Sequence, residues 1–160
     1  MALSARRTAD ALTALRVLCG AILVVRPSLT VLLVGVVSDW IDGPLARRAG
    51  PTRRGARADI EADSILTLGA AIGAARLGAS RVVLLAPLAH HGVAAIRRRP
   101  LDRDEVAWDR VTGVAQMAVL AAALAPWPVR SLRSLAIPMS AARCAALLVQ
   151  LVLTRKVAVD

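Results

Sequence analysis

Long apolar segments alternate with short polar connections along the entire sequence. The apolar segments are of helical length and cover approximately residues 9–25, 28–46, 60–78, 81–96, 110–127 and 134–153. Apolar and polar residues do not alternate with the period of two expected of a half-buried strand, and runs of β-branched residues are brief. Proline or glycine marks several of the connections. The pattern predicts an all-α fold with six helices in a single domain over residues 1–160.

The composition places these predicted helices in a membrane. Hydrophobic residues make up 57% of the chain and the mean hydropathy is +0.60, whereas roughly 45–50% apolar residues are usual in soluble domains. The chain has no Phe and no Tyr, so its apolar mass is mainly Ala, Leu and Val. Several segments are shorter than the roughly 20 residues of a perpendicular span, but a tilted or thin bundle accommodates them. We therefore predict a polytopic membrane protein with six transmembrane helices.

The charge distribution favours anionic membrane lipids over nucleic acid as partners of the basic residues. The formal net charge is +10, but the arginines cluster between apolar segments and do not form one stripe with interleaved aromatic residues. Most of them lie near the two termini and in the polar stretches 47–59 and 97–110. In a six-helix topology these regions share one side of the membrane. The positive-inside rule makes that side cytoplasmic, so we expect both termini there and no nucleic-acid partner.

Four aspartates lie in one short window that also contains Glu61 and is otherwise mainly apolar or basic. Asp39 and Asp42 are three residues apart and Asp59 and Asp63 are four apart, so each pair shares a helix face. Two antiparallel helices joined by a loop over residues 47–58 would bring these faces together. Converging carboxylates in a membrane are costly and need a cation. Hard divalent ions such as Mg²⁺, Mn²⁺ or Ca²⁺ would neutralise them, and so would a salt-bridge network with nearby arginines.

The residues around the aspartates match a longer pattern. In order, they are Asp39, Asp42, Gly43, Ala46, Arg47, Gly55, Asp59 and Asp63. This stretch resembles the CDP-alcohol phosphotransferase signature, D-x2-D-G-x2-A-R-x8-G-x3-D-x3-D, with every fixed residue type present. One departure is that seven residues, not eight, separate Arg47 from Gly55, and it falls in the predicted loop. Asp10–Arg16 is similar to the N-L-T-x-x-R stretch that often opens these enzymes, so Arg16 either approaches the active site or snorkels to the interface.

The resemblance implies an activity and a set of site residues. It implies transfer of a phosphatidyl group from a CDP-linked donor, such as CDP-diacylglycerol, to an alcohol acceptor with release of CMP. Two Mg²⁺ or Mn²⁺ ions would be bound by Asp39, Asp42, Asp59 and Asp63, with Asp63 also the catalytic base. The CDP moiety would be bound by Asp39, Asp42, Gly43, Ala46, Arg47 and Gly55. The resemblance also implies a homodimer, and we expect a cytoplasmic-side active site in a bacterial cell membrane.

Several alternatives remain open from the sequence. The other arginines of the predicted loop are candidates for binding an acceptor phosphate or for contacting anionic lipid: Arg48, Arg53, Arg54 and Arg57. The identity of the acceptor alcohol is not encoded in the signature. The same aspartates would suit a small divalent-cation-binding membrane protein or transporter, or a catalytically degenerate binder of a CDP-lipid. Gly43, Ala46 and Arg47 favour the enzyme, because a transporter has no need of a nucleotide site.

Overall fold

The chain folds into long helices that pack lengthwise against one another. A computed structural model describes residues 2–50, 52–79, 84–85, 87–89, 103–125 and 145. Its long helices are α1 (Ala2–Val25), α2 (Leu29–Ala49), α3 (Arg53–Arg76) and α4 (Arg103–Leu124). Within these described residues there is no strand, which confirms the all-α prediction for that part of the chain. The predicted segments 81–96 and 134–153 lie largely outside the described residues, so the six-span topology and the side of the termini stay predictions.

The connection between α2 and α3 is much shorter than predicted. The expected loop over residues 47–58 is wrong, because α2 continues to Ala49 and α3 already begins at Arg53. Gly50 ends α2 with a φ of 86°, a left-handed value that glycine adopts without steric cost. Thr52 is the N-cap of α3, and its Oγ1 accepts a hydrogen bond of 3.1 Å from the Gly55 amide. The shortened part of the signature therefore spans two helix ends and a tight turn.

Close approach of backbones sets the relation between α1 and α3. A Cβ on Gly20 would lie 2.6 Å from the Ile65 carbonyl oxygen, and one on Gly73 would lie 2.7 Å from the Leu23 carbonyl oxygen. These distances are too short for any side chain, so glycine is what permits the contact. The contact of Leu23 with Gly73 follows that of Gly20 with Ile65 in both helices, so α1 and α3 run parallel. The intervening helix α2 runs antiparallel to both.

The apolar core lies beyond the aspartates along the bundle. Four leucines, one from each long helix, are almost completely buried: Leu23, Leu32, Leu66 and Leu120. Full burial of a leucine stabilises a fold by about 1.5–3 kcal/mol. Small residues of α3 complete the contact surface, namely Ala70, Ala71 and Ala74. This packing fixes the ends of α1, α2 and α3 that carry the polar side chains.

The outer faces of α1 and α2 are also apolar. Large hydrophobic residues are exposed along both helices, among them Leu18, Ile22, Leu33, Val37, Trp40 and Ile41. A helix that is apolar on all sides is typical of a membrane span. Two helical stretches among the described residues, Ser4–Val25 and Leu29–Ala49, are long and apolar enough to cross a membrane. They coincide with the first two predicted spans.

Candidate active site

The four aspartates of the signature converge on the side chain of Arg16. The Arg16 Nη1 atom forms an ion pair with Asp39 Oδ1 at 2.8 Å and donates a hydrogen bond to Asp63 Oδ1. The Nη2 atom donates to Asp42 Oδ2 at 2.6 Å and to Asp59 Oδ1 at 2.5 Å. Each nitrogen thus joins one carboxylate of α2 to one of α3. The predicted meeting of the two acidic faces is confirmed, and the arginine that pairs with them comes from α1.

Arg16 is positioned by the same helix packing that builds the core. It lies four residues before Gly20, where α1 and α3 are in backbone contact, which directs its side chain between α2 and α3. The side chain has no solvent-exposed surface. Of the two interpretations offered by the sequence, approach to the site is therefore correct and snorkelling to the interface is wrong. Charge-assisted hydrogen bonds of this kind are roughly twice as strong as neutral ones.

Asp42 is the buried member of the acidic cluster. Its side chain is only 6% exposed. The Thr13 hydroxyl lies 3.1 Å from both Asp42 Oδ2 and the Ala9 carbonyl oxygen, so its single proton is shared between these two acceptors, in addition to the hydrogen bond that Arg16 donates to Asp42. The other carboxylate oxygen, Oδ1, is buried and has no hydrogen-bond partner among the described residues. Asp42 therefore keeps one carboxylate oxygen whose hydrogen-bonding capacity is unused among the described residues.

The other three aspartates are accessible and lie close enough together to bind a metal ion. Their side chains are about half exposed. One carboxylate oxygen from each of Asp39, Asp59 and Asp63 lies within 4.8 Å of the others. Mg²⁺ binds oxygen at about 2.0–2.1 Å, so opposite ligands lie roughly 4 Å apart, and small side-chain movements suffice. The donor set contains oxygen alone, which suits a hard divalent cation.

A cavity of about 270 Å³ opens beside the aspartates, where α1, the end of α2 and the start of α3 meet. Five residues predicted to bind CDP line it: Asp42, Gly43, Ala46, Arg47 and Gly55. Asp59 also lines the cavity, so the nucleotide residues and the acidic cluster share one wall. No side chain protrudes into the cavity at Gly43 and Gly55, so the backbone is accessible there.

The remaining predicted site residues lie around this cavity without lining it. Asp39 and Asp63 belong to the cluster but do not border the cavity. The four arginines considered for an acceptor phosphate are exposed at the end of α2 and the start of α3: Arg48, Arg53, Arg54 and Arg57. They are within the polar end of the bundle, on the same side as the cavity.

One wall of the cavity comes from α1 and was missing from the predicted site. Arg6, Asp10 and Thr13 line it, together with Thr52 from the α2–α3 connection. Arg6, Asp10 and Thr13 are spaced by four and then three residues, which is the period of one helix face. That period was visible in the sequence. It did not indicate that this face turns toward the signature aspartates, since that depends on how α1 packs.

Comparison with known proteins agrees with this geometry. The sequence model of one family, CDP-alcohol phosphatidyltransferase, matches residues 6–155, which is nearly the whole chain. The match includes α1 with Arg16 and the entire signature from Asp39 to Asp63. Comparison with curated proteins and with solved structures gave no significant match.

Proposed function

The chain belongs to the CDP-alcohol phosphatidyltransferase family, and we propose that it transfers a phosphatidyl group from a CDP-linked donor such as CDP-diacylglycerol to an alcohol, with release of CMP. The observation that carries the proposal is the joint wall of the cavity and the acidic cluster. Residues of the nucleotide part of the signature face the same space as Asp42 and Asp59. A diphosphate bound there would have its phosphorus atoms next to the only dense group of carboxylates among the described residues.

The acidic cluster is the place for the metal ions of the reaction. Asp39, Asp59 and Asp63 would hold a divalent ion, with the free oxygen of Asp42 as a further ligand. We propose two ions, Mg²⁺ or Mn²⁺, shared among the four aspartates. When bound, they supply positive charge that offsets the diphosphate and the charge developing on the leaving group. The position of the donor is then determined by protein residues on the cavity walls.

The donor would be held between α1 and the end of α2. Arg47 lies on the cavity wall one turn beyond Gly43, and a guanidinium can bind two phosphate oxygens at once. Gly43 and Gly55 leave the backbone accessible, so the nucleotide can approach it closely. We therefore assign CDP binding to the five signature residues of the cavity wall, Asp42, Gly43, Ala46, Arg47 and Gly55, with Arg6 as an added cation of the opposite wall. We also assign it to Asp39, which lies in the adjoining acidic cluster and does not border the cavity itself.

Asp63 is the candidate general base. The acceptor oxygen forms a bond to the β-phosphorus of the donor, and its proton passes to the Asp63 carboxylate. The bond from that phosphorus to the bridging oxygen breaks, and CMP leaves with the bonding electron pair. Because Asp63 would lie beside cations, its contribution comes mainly from its position near the attacking hydroxyl.

The acceptor and the membrane arrangement are the least constrained parts of the proposal. The exposed arginines at the α2–α3 connection would bind a phosphate on the acceptor or contact anionic lipid: Arg48, Arg53, Arg54 and Arg57. We propose a multi-pass protein of six spans, with the cavity on the cytoplasmic side of a bacterial membrane and a homodimeric assembly. The apolar outer faces of α1 and α2 support the membrane location.

CMP release is the direct test. Purified protein would be supplied with CDP-diacylglycerol, Mg²⁺ or Mn²⁺, and a panel of alcohols that includes glycerol phosphate, inositol phosphate and serine. Metal-dependent CMP release with one of them supports the proposal, and Asp63→Asn should abolish it while the protein stays folded. Folded protein that binds the donor without any CMP release would indicate a degenerate family member. Metal flux into liposomes without need of a CDP compound would indicate a transporter.

A further inference from the structure

We propose that Arg16 is a built-in counter-cation of the metal site: it gathers the four aspartates before metal binds and competes with divalent ions for their oxygens. This inference deepens the proposed function, since it rests on the same aspartates binding metal. It assigns a positioning role to a residue of α1 that lies outside the acidic signature. It also predicts that the protein stays folded both when Arg16 pairs with the aspartates and when metal ions bind them.

The geometry gives Arg16 the position of an ion in the middle of the cluster. Its two terminal nitrogens form ion pairs with all four aspartates, and each nitrogen contacts one carboxylate of α2 and one of α3. No part of the side chain is exposed to solvent. A planar guanidinium carries its N–H donors in a fixed fork, so it can span several carboxylates where an ammonium group contacts fewer.

The charges do not balance in this arrangement. One guanidinium faces four carboxylates. The charges of Arg16 and Asp42 are buried, and a buried charge is costly unless it is fully paired. Two atoms show that the pairing is incomplete. Arg16 Nε and Asp42 Oδ1 are both buried and have no hydrogen-bond partner within the described part of the chain. A buried polar atom without a partner is unfavourable, so this cluster retains the capacity to accept a further ligand.

Arginine and metal cannot both keep the same contacts. Asp39, Asp59 and Asp63 offer the oxygens that lie close enough together for an ion, and all three are already in ion pairs with Arg16. A divalent ion placed among them would lie a few ångströms from the guanidinium, where like charges repel strongly. Metal binding therefore requires Arg16 to give up part of the cluster. Its presence lowers metal affinity and, in exchange, keeps the metal-free site assembled.

Mn²⁺ binding to the full-length protein in detergent micelles tests this competition. Binding is measured from the loss of the free-Mn²⁺ electron paramagnetic resonance signal for the wild type, Arg16→Gln and Arg16→Lys. Arg7→Gln is the matched control, because it removes the same charge from an exposed position of α1. We expect Arg16→Gln to bind Mn²⁺ at least about 10-fold more tightly than the wild type, or roughly 1.4 kcal/mol. Arg7→Gln should match the wild type.

Thermal unfolding provides a second measurement. Without Mn²⁺, Arg16→Gln should unfold at a lower temperature than the wild type. Saturating Mn²⁺ should raise the unfolding temperature of Arg16→Gln by more than it raises that of the wild type. Affinity of Arg16→Gln that is equal to or weaker than that of the wild type would overturn the inference. If Arg16→Gln does not fold without metal, Arg16→Lys decides the matter, because it keeps the charge but cannot span four carboxylates. Mn²⁺ affinity of Arg16→Lys above that of the wild type supports competition, and equal or lower affinity refutes it.

The outcome is separable from that of the proposed function. Tighter Mn²⁺ binding by Arg16→Gln, with no CMP release by wild-type protein, would uphold the inference and reject the transferase activity. Metal-dependent CMP release by the wild type, with unchanged Mn²⁺ affinity in Arg16→Gln, would support the transferase activity and reject the inference about Arg16. If no form of the protein binds Mn²⁺, both fail.

Discussion

Gly69 of α3 faces the carbonyl group of Gly20 in α1 so closely that a Cβ on Gly69 would overlap the Gly20 backbone. This contact sets the spacing and the relative height of the two helices. Arg16 lies one turn from Gly20, and Asp63 lies less than two turns from Gly69. The glycine pair thus determines whether the guanidinium reaches the carboxylate across the interface.

Gly69→Ala should therefore destabilise the protein and reduce CMP release together. The added methyl group meets backbone, which cannot rotate away, and overpacking of this kind costs about 1–3 kcal/mol. Thermal unfolding in detergent checks the stability. Gly43→Ala is the comparison, because there a Cβ would meet only the mobile end of the Arg47 side chain, at 3.4 Å. Its fold should be retained, and equal destabilisation by both variants would contradict the prediction.

Thr13→Val removes a hydroxyl that is within donating distance of both the buried Asp42 carboxylate and the Ala9 carbonyl, while preserving side-chain shape. Because Asp42 Oδ1 already lacks a partner among the described residues, the loss leaves Oδ2 dependent on Arg16 alone. We expect a loss of about 1–3 kcal/mol in the free energy of unfolding and a weaker interaction with Mn²⁺. Chemical denaturation and Mn²⁺ titration would measure the two effects.

Thr8→Val is the matched control for that variant. The Thr8 hydroxyl donates to the Ser4 carbonyl on the exposed side of α1, so its removal should change stability by no more than about 0.5 kcal/mol. If Thr8→Val and Thr13→Val are equally destabilising, the hydrogen bond to Asp42 does not contribute to stability beyond an ordinary surface hydrogen bond.

Arg6 and Arg7 are adjacent in sequence but differ in their position relative to the cavity. Both are exposed, but only Arg6 lines the cavity. If the donor diphosphate binds there, Arg6→Gln should raise the KM for CDP-diacylglycerol by roughly 10-fold, the loss of about one charge-assisted hydrogen bond. Arg7→Gln should leave it unchanged. Steady-state CMP release over a range of donor concentrations gives the comparison, and similar KM values for both variants would place the donor elsewhere.

Removal of metal should abolish activity without unfolding the protein. Arg16 forms ion pairs with all four aspartates, so the cluster retains a cation when EDTA has removed divalent ions. We expect CMP release to stop on chelation and to return with Mg²⁺ or Mn²⁺, while helical circular dichroism remains nearly constant. Loss of helical signal on chelation would contradict a site that is held together by arginine.

The helix boundaries could not be predicted from the local pattern of apolar residues alone. The apolar segments located α1, α2 and α3 correctly, but the facing polar ends of α2 and α3 were assigned to one loop over residues 47–58. Helix continues through those ends because Thr52 caps α3 and Gly50 allows the chain to turn within a few residues. An apolar pattern cannot indicate a helix that extends into the polar interface.

The sequence by itself determined the components of the site. Spacings of three and four residues place Asp39 with Asp42 and Asp59 with Asp63 on shared helix faces, because helix geometry is local. The signature then connected those faces to CDP chemistry, and the family match agrees. Tertiary structure alone decided that Arg16 lies at the centre of the cluster and that α1 forms the opposite wall of the cavity. Such contacts join residues far apart in the chain, and they depend on how closely helices approach at Gly20 and Gly69, a distance that no local period encodes.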